Sequence, residues 1–219
     1  MALPASAMEG KGPQKANFGS ERFSPEAKHV ADWVVHSGDN HADGDRKLPF
    51  VILDKKDARI YLFDAEGKLR EAAPALLGLG IGDTSFAGIG DRSLSSIKPA
   101  DRTTPAGRFV GFMGHAFVTN PKKAEDVLWV DYKGGVSIHR VVKSLNRLHR
   151  MATPTPADNR ISFGCINVPV KFFENAVLPA FKESKDSRGI IYVLPETKTA
   201  RELFASYDVD EFLRSQPKD

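Results

Sequence analysis

The stretch Arg160-Ile-Ser-Phe-Gly-Cys-Ile-Asn-Val-Pro169 carries the chain's one cysteine, Cys165. One cysteine can neither close an internal disulfide nor build a cysteine-rich zinc site. It is therefore a buried inert thiol or a nucleophile. Its neighbours favour the nucleophile. Gly164 lets the backbone approach a ligand closely, and Ser162 and Asn167 flank the thiol with short polar side chains. A helical pattern is expected from Val168 or Pro169. A helix N-terminus just after the thiol would lower its pKa and offer free N–H groups to an oxyanion.

A cysteine nucleophile needs a base. His139 ends the run Val136-Ser-Ile-His139, 26 residues upstream, where a strand end would present a fixed side chain. His149, 16 residues upstream, is the second candidate and lies in a basic helical pattern. His115 is a supporting candidate beside Gly114. His29, His36 and His41 fall near the N-terminus without the carboxylate pattern of a metal site.

The chain has 219 residues, 41% hydrophobic and 27% charged, enough for one domain with a proper core or one domain and a tail. A net charge of +3 does not make nucleic acid the default partner, and no stacking-aromatic pattern accompanies the basic segment. No run of 18 apolar residues predicts a membrane span. Residues 1–22 read as unstructured. They lack the charged and long apolar regions of a signal peptide, although Ala-Ser-Ala at 5–7 is compatible with the stub of a cleaved one.

Residues 24–36 read as a helix, with Ser24 as N-cap and Pro25 at the first helical position. Ser37 to Lys47 is a polar linker. From Pro49 the pattern turns to β: Phe50–Leu53, Arg59–Phe63, Leu69 onward, Arg108–Phe112, Val127–Val130, Val136–His139 and Ile190–Val193. Val141–Arg150 and Pro169–Phe181 have helical spacing, the latter through Val170, Phe173, Val177 and Phe181, and residues 199–214 read as helical. The sum is a mostly antiparallel β core with a few peripheral helices. Gly78, Gly80 and Gly82 superficially match a dinucleotide fingerprint, but the sixth position is not glycine and no helix pattern follows. A glycine-rich loop between strands is the better reading.

At these residues the sequence resembles the L,D-transpeptidase catalytic domain, the YkuD family. His139 is followed by Ser162-Phe163-Gly164-Cys165-Ile166-Asn167. Upstream, Ala58–Phe63 with Gly67–Leu69 looks like the family's opening hairpin, and Thr103-Thr-Pro-Ala-Gly-Arg-Phe109 like its Thr-Pro-x-Gly-x-Phe segment. The resemblance runs from about residue 49 to 195. It implies an L,D-transpeptidase-like β-sandwich over 49–195, between an N-terminal extension (1–48) and a C-terminal helical tail (196–219).

The resemblance also implies a function. Cys165 attacks the carbonyl between the third and fourth residues of a peptidoglycan stem peptide, D-alanine leaves, and an acceptor amine (a stem peptide, a D-amino acid or a protein) resolves the thioester. His139 is the implied base, and the backbone N–H groups of Gly164 and Cys165 are the implied oxyanion donors. Ser162, Phe163, Asn167, Arg140 and His149 are expected to bind or position substrate. No cofactor and no metal is implied, and the place of action is the periplasm or cell envelope.

Three departures stand out. Phe163 replaces the motif's second histidine, Arg140 stands where glycine is usual, and the stretch between histidine and cysteine is long. That stretch sets Arg140, Lys143, Arg147, Arg150 and Arg160 against Asp158 alone. It reads as a solvated face or as a lid that pairs with stem-peptide carboxylates. The alternatives carried forward are an L,D-carboxypeptidase or hydrolase, and a catalytically silent envelope-binding domain.

Overall fold

β-Branched and aromatic runs separated by Asp, Gly and Pro turns become strands because their side chains pack on a pleated, half-buried surface. The computed structural model describes residues 14–42 and 46–204. Expectations for 1–13, for 43–45 of the linker and for 205–214 of the terminal helix lie outside them. The strands are β1 (Phe50–Asp54), β2 (Arg59–Phe63), β3 (Leu69–Pro74), β4 (Leu77–Gly78), β5 (Gly107–Ala116), β6 (Glu125–Asp131), β7 (Val136–Arg140), β8 (Arg160–Ser162), β9 (Ile166–Val168) and β10 (Arg188–Val193). Eight form one sheet in the order β3-β2-β1-β10-β5-β6-β7-β9, and β4 pairs with β8. The mostly antiparallel expectation holds within the large sheet, where only β1–β10 and β7–β9 run parallel.

One face of this sheet curls around its own apolar side chains. Val51, Leu53, Ile60 and Leu62 from one half meet Leu128, Val130, Ile138, Ile166 and Val168 from the other. The two edges approach each other where Leu76 and Asn167 exchange backbone hydrogen bonds of 2.8 and 2.9 Å. A single curled sheet thus supplies both layers of the core. Between them runs a helical segment, α3 (Val170–Phe172), a π turn (Phe173–Val177) and α4 (Leu178–Lys182). Of the expected stripe Val170, Phe173, Val177 and Phe181, the last three are fully buried and Val170 is half-buried. The π turn shifts the register so that Phe172 is buried beside Phe173.

The opposite face of β1, β2 and β10 is covered by α1 (Pro25–Ser37), which packs Val30, Val34 and Val35 against Phe50, Tyr61 and Tyr192. The Ser24 side chain caps α1 by accepting the Ala27 N–H, with Pro25 in the first turn, as expected. The sequence reading of 14–22 as unstructured is corrected. Asn17 bridges Lys68, and Phe18 is buried against Phe23, Tyr61 and Phe63. An aromatic anchor among small polar residues carries no periodicity, so pattern reading misses it. α2 covers Leu145–Ala152, four residues later than its expected start, because Val141 continues from β7 and buries against Leu76 and Met151. α5 (Ala200–Leu203) follows a Thr199–Glu202 capping box.

Candidate active site

Strand alternation sorts the site from the core. On β7, Val136 and Ile138 face the core, so Ser137 and His139 face the other way. On β9, Ile166 and Val168 face the core, which turns Cys165 and Asn167 to the same outer side. The parallel register sets Ile138 beside Ile166 and His139 beside Asn167. Ser137, His139, Cys165 and Asn167 therefore share one patch. The helix expected from Val168 or Pro169 begins at Val170 with Pro169 as its N-cap, and β9 stands between it and Cys165. Ile166 and Val168 are drawn into the sheet by core burial, so no helix N-terminus acts on the thiol.

The loop carrying the thiol is held by short polar side chains. Ser162 Oγ accepts the Gly164 N–H (3.1 Å) and donates to the Cys165 carbonyl (2.6 Å). Thr104 Oγ1 donates to the Gly164 carbonyl (2.9 Å) and accepts the Gly78 N–H (2.9 Å). Gly164 sits at φ +125°, and a Cβ there would lie 2.9 Å from the Thr103 carbonyl oxygen, so the position requires glycine. Its N–H is taken by Ser162 rather than open to an oxyanion, which corrects that expectation. Gly78 also has a packing reason, since a Cβ there would meet the Arg102 carbonyl oxygen at 2.2 Å. The glycine loop is a close backbone crossing.

Cys165 Sγ donates to the Gly135 carbonyl at 3.4 Å and lies 3.8 Å from Ser137 Oγ. Burial pushes the thiol pKa up, against the pull of Ser137 and the Arg147 guanidinium. Cys165 itself is half-buried, whereas His139 is buried, with its pKa pushed down to about 4. Burial is the main cause and the positive charges of Arg147 and Arg140 add to it, while the Arg140 carbonyl and Glu125 oppose it. His139 Nδ1 lies 2.7 Å from the Arg140 carbonyl oxygen, which can only accept, so Nδ1 carries the hydrogen. Nε2 is then the basic nitrogen, and it accepts a 3.2 Å bond from Asn167 Nδ2. Arg147 donates to Asn167 Oδ1 at 2.7 Å. The resting pair is a neutral thiol beside a neutral imidazole whose ring nitrogens are both engaged elsewhere. A preformed hydrogen bond between the two is not its geometry.

The remaining expected residues are placed as follows. Asn167 joins the site as the partner of His139. Ser162 holds the loop. Phe163 lies under the Arg102 guanidinium, 4.0 Å from its ring centroid. Arg140 points away from His139: it stacks on Phe173 and binds Glu174 (3.0 Å) and the Asp126 carbonyl (3.1 Å) on the opposite side of the strand. Strand alternation requires this of a residue next to His139. His149 is exposed on α2, and it is Arg147 that α2 turns toward the site. His115 pairs with Asp126 at 3.4 Å.

Ser137 and Thr104 were not singled out from sequence. Ser137 was legible from its position two residues before His139 on a strand, and Thr104 was marked only as part of the Thr-Pro-x-Gly-x-Phe segment, with no sign of its contact to the Cys165 loop. Among the described residues no group of three or more His, Cys, Asp or Glu side chains could hold a metal ion. Among them, too, no helix is long and apolar enough to cross a membrane.

The surface beside the thiol is aromatic. One rung of the sheet reads Ser137, Trp129, Phe112 from β7 through β6 to β5. Strand spacing puts these side chains roughly 5 Å apart in a row leading away from Cys165. Tyr132 packs edge-on against Trp129 with ring centroids 5.0 Å apart. Phe112 is 37% and Tyr132 66% exposed, so the row is open to a ligand.

No protein-family profile matches the sequence, and no curated protein matches it. Among solved structures the chain is similar to a point mutant of the helical cell shape determining protein Pgp2 from Campylobacter jejuni. That match has 19% identity, 87% of this chain and 64% of that one, and a TM-score of 0.45. It is similar to an L,D-transpeptidase from Mycobacterium smegmatis at 17% identity over 67% of this chain and 58% of that one, TM-score 0.39. The catalytic domain of an Enterococcus faecium L,D-transpeptidase is covered completely by 69% of this chain, at 17% identity and a TM-score of 0.38. The chain thus spans less than two thirds of the length of the first two. The strands and the few short helices themselves make the fold mainly β, as expected.

Proposed function

We propose that the chain is a cysteine acyltransferase acting on peptidoglycan stem peptides as an L,D-transpeptidase, at the cell envelope. The observation that carries this reading is the shared patch on β7 and β9. It holds one thiol, a histidine with its tautomer set by a backbone carbonyl, and an open aromatic row beside them.

In the proposed reaction His139 Nε2 exchanges its long bond from Asn167 for the Cys165 proton as substrate enters. The thiolate attacks the carbonyl carbon between the third and fourth stem residues, and the Cys165 N–H meets the oxyanion. The C–N bond breaks, D-alanine takes the proton from the imidazolium, and a thioester remains. An acceptor amine then attacks the thioester carbonyl, gives a proton to His139, and displaces the thiolate, which is reprotonated. The aromatic row from Trp129 to Phe112 supports an extended substrate next to the nucleophile. The chemistry calls for no cofactor.

The resting neutrality of the pair favours a second reading, in which the thiol stays silent and the domain only binds. A hydrolytic outcome, with water in place of the amine, uses the same first step. Mass-spectrometric product analysis separates them. The protein and its Cys165→Ala variant are incubated with disaccharide-tetrapeptide, with and without a free D-amino acid. Cross-linked dimers or exchanged termini from the unaltered protein alone are the expected result. Tripeptide as the only product would establish the hydrolase, and no product would favour the binding domain. His139→Ala is expected to lose at least 100-fold in rate, and His149→Ala to keep it.

A further inference from the structure

We propose that Arg147 is the positioning residue of this site: its guanidinium orients the buried Asn167 amide, and the amide in turn keeps His139 as an Nε2 base facing the side of Cys165. The inference rests on reading Cys165 as nucleophile and His139 as its base.

Two orientations of the Asn167 amide fill the same space. Asn167 is 1% exposed, so water does not choose between them. A guanidinium has donors only, so Arg147, at 2.7 Å, selects the orientation with Oδ1 toward itself. Nδ2 then points at His139 Nε2 (3.2 Å) and, more weakly, at the Cys165 carbonyl (3.5 Å). A donor facing Nε2 requires a lone pair there. From the other side the Arg140 carbonyl requires the hydrogen on Nδ1. Two independent constraints therefore converge on one tautomer, one from β7 and one reaching in from α2. When Nε2 takes up the thiol proton, Nδ2 retains the Cys165 carbonyl, and Oδ1 stays on Arg147.

α2 is built to hold Arg147 in place. Ser144 Oγ accepts the Arg147 N–H at 3.3 Å, and Arg150 ties the far end of α2 to the Asp158 carbonyl at 2.9 Å. Met151 buries against Leu76, the residue whose backbone clamps Asn167. Arg147 is also the one cation that acts on both reacting groups. Toward His139 it is joined by Arg140 on β7 and opposed by Glu125 on β6, and toward Cys165 it acts with Ser137 of β7. Its charge favours thiolate and disfavours imidazolium. The long basic segment between histidine and cysteine thus has a member committed inward.

The test uses the full chain with Arg147→Met and Arg147→Lys. Iodoacetamide alkylation of Cys165 is followed from pH 5 to 10, and the His139 tautomer is read by 15N NMR of the imidazole. Arg147→Met is expected to raise the alkylation midpoint by about one unit, so that modification at pH 7 slows about tenfold. The Arg140 carbonyl still holds the hydrogen on Nδ1, and the Nε2 resonance is expected to shift as the ordered Asn167 donor is lost. Arg147→Lys is expected to recover most of the midpoint shift, because it restores the charge. An unchanged or faster profile with an unmoved Nε2 resonance in Arg147→Met would overturn the proposal. If Arg147→Met does not fold, as judged by circular dichroism, an unmoved Nε2 resonance and midpoint in Arg147→Asn would overturn it equally. Neither readout needs substrate, so both stand apart from the product analysis. A blank product analysis with shifted profiles would strike the transpeptidase reading and leave the role of Arg147 intact.

Discussion

Two buried polar centres lie on either side of the glycine loop, and they are built on opposite plans. In one, the fully buried Lys55 ammonium donates to the Gly82 carbonyl (2.6 Å), Asp83 Oδ1 (2.9 Å) and the Thr104 carbonyl (3.0 Å), with Glu196 at 3.4 Å. Asp83 also accepts the backbone N–H groups of Glu196, Thr197 and Lys198 and the Thr197 hydroxyl. Burial alone would raise the Asp83 pKa, but the Thr197, Lys55 and Glu196 bonds hold it well below the usual carboxylate range. Arg160 closes the cluster on Glu196. Every charge there is paired. In the other centre, the buried His139 and the half-buried Cys165 are neutral, and each lacks a charged partner bonded to it directly. The first arrangement locks strand β1, the glycine loop and the chain after β10 together. The second leaves both side chains uncharged, and on the proposed reading it keeps a thiol proton available to His139.

Breaking the first centre is expected to give the largest effect. Lys55→Met leaves the buried Asp83 carboxylate without its cation, while Glu196 keeps Arg160, and is expected to cost about 3–5 kcal/mol, measured by urea denaturation. Cys165→Ala in the second centre is expected to change stability by less than about 1.5 kcal/mol, because only a neutral thiol with weak hydrogen bonds is lost. Equal costs would erase the contrast.

The second test is the pH dependence. The unfolded chain binds a proton on His139 near pH 6.5, whereas the folded state resists until about pH 4. The neutral imidazole therefore contributes stability that is fully present above 6.5 and lost as pH falls to about 4, on the order of 3 kcal/mol. Asp83 behaves differently: its contribution is present above the unfolded carboxylate value and is lost only at still lower pH. Denaturation midpoints from pH 7 to 4 are expected to fall in the unaltered protein and to flatten in His139→Gln.

The smallest effect probes the link between the centres. Thr104 is fully buried, accepts from Lys55 at its carbonyl and donates its hydroxyl to the Gly164 carbonyl in the loop that carries Cys165. Thr104→Val keeps the shape but leaves the Gly78 N–H and the Gly164 carbonyl unpaired. The expected cost is about 2 kcal/mol, with a changed alkylation rate at Cys165 read in the same samples. Lost stability with unaltered thiol reactivity would mean that the loop does not depend on the hydroxyl.

Much of this was legible in the residues themselves, for local reasons. β-Branched runs and Asp or Gly turns dictate β1, β2 and β5 to β7, and Ser24-Pro25 dictates the start of α1, because both signals act within a few residues. The alternation Val136-Ser-Ile-His139 and Cys165-Ile-Asn-Val168 already assigns the thiol, the imidazole and Asn167 to one face once both runs are strands. What needed the tertiary structure is which groups meet across sequence distance. The curl of the sheet brings Leu76 to Asn167, and the crossing at Gly78 brings Thr104 to Gly164. Placing α2 over the sheet chooses Arg147 rather than His149. Protonation states belong to that second set as well. They are set by burial and by which donor or acceptor faces each nitrogen, and neither exists until the chain has folded.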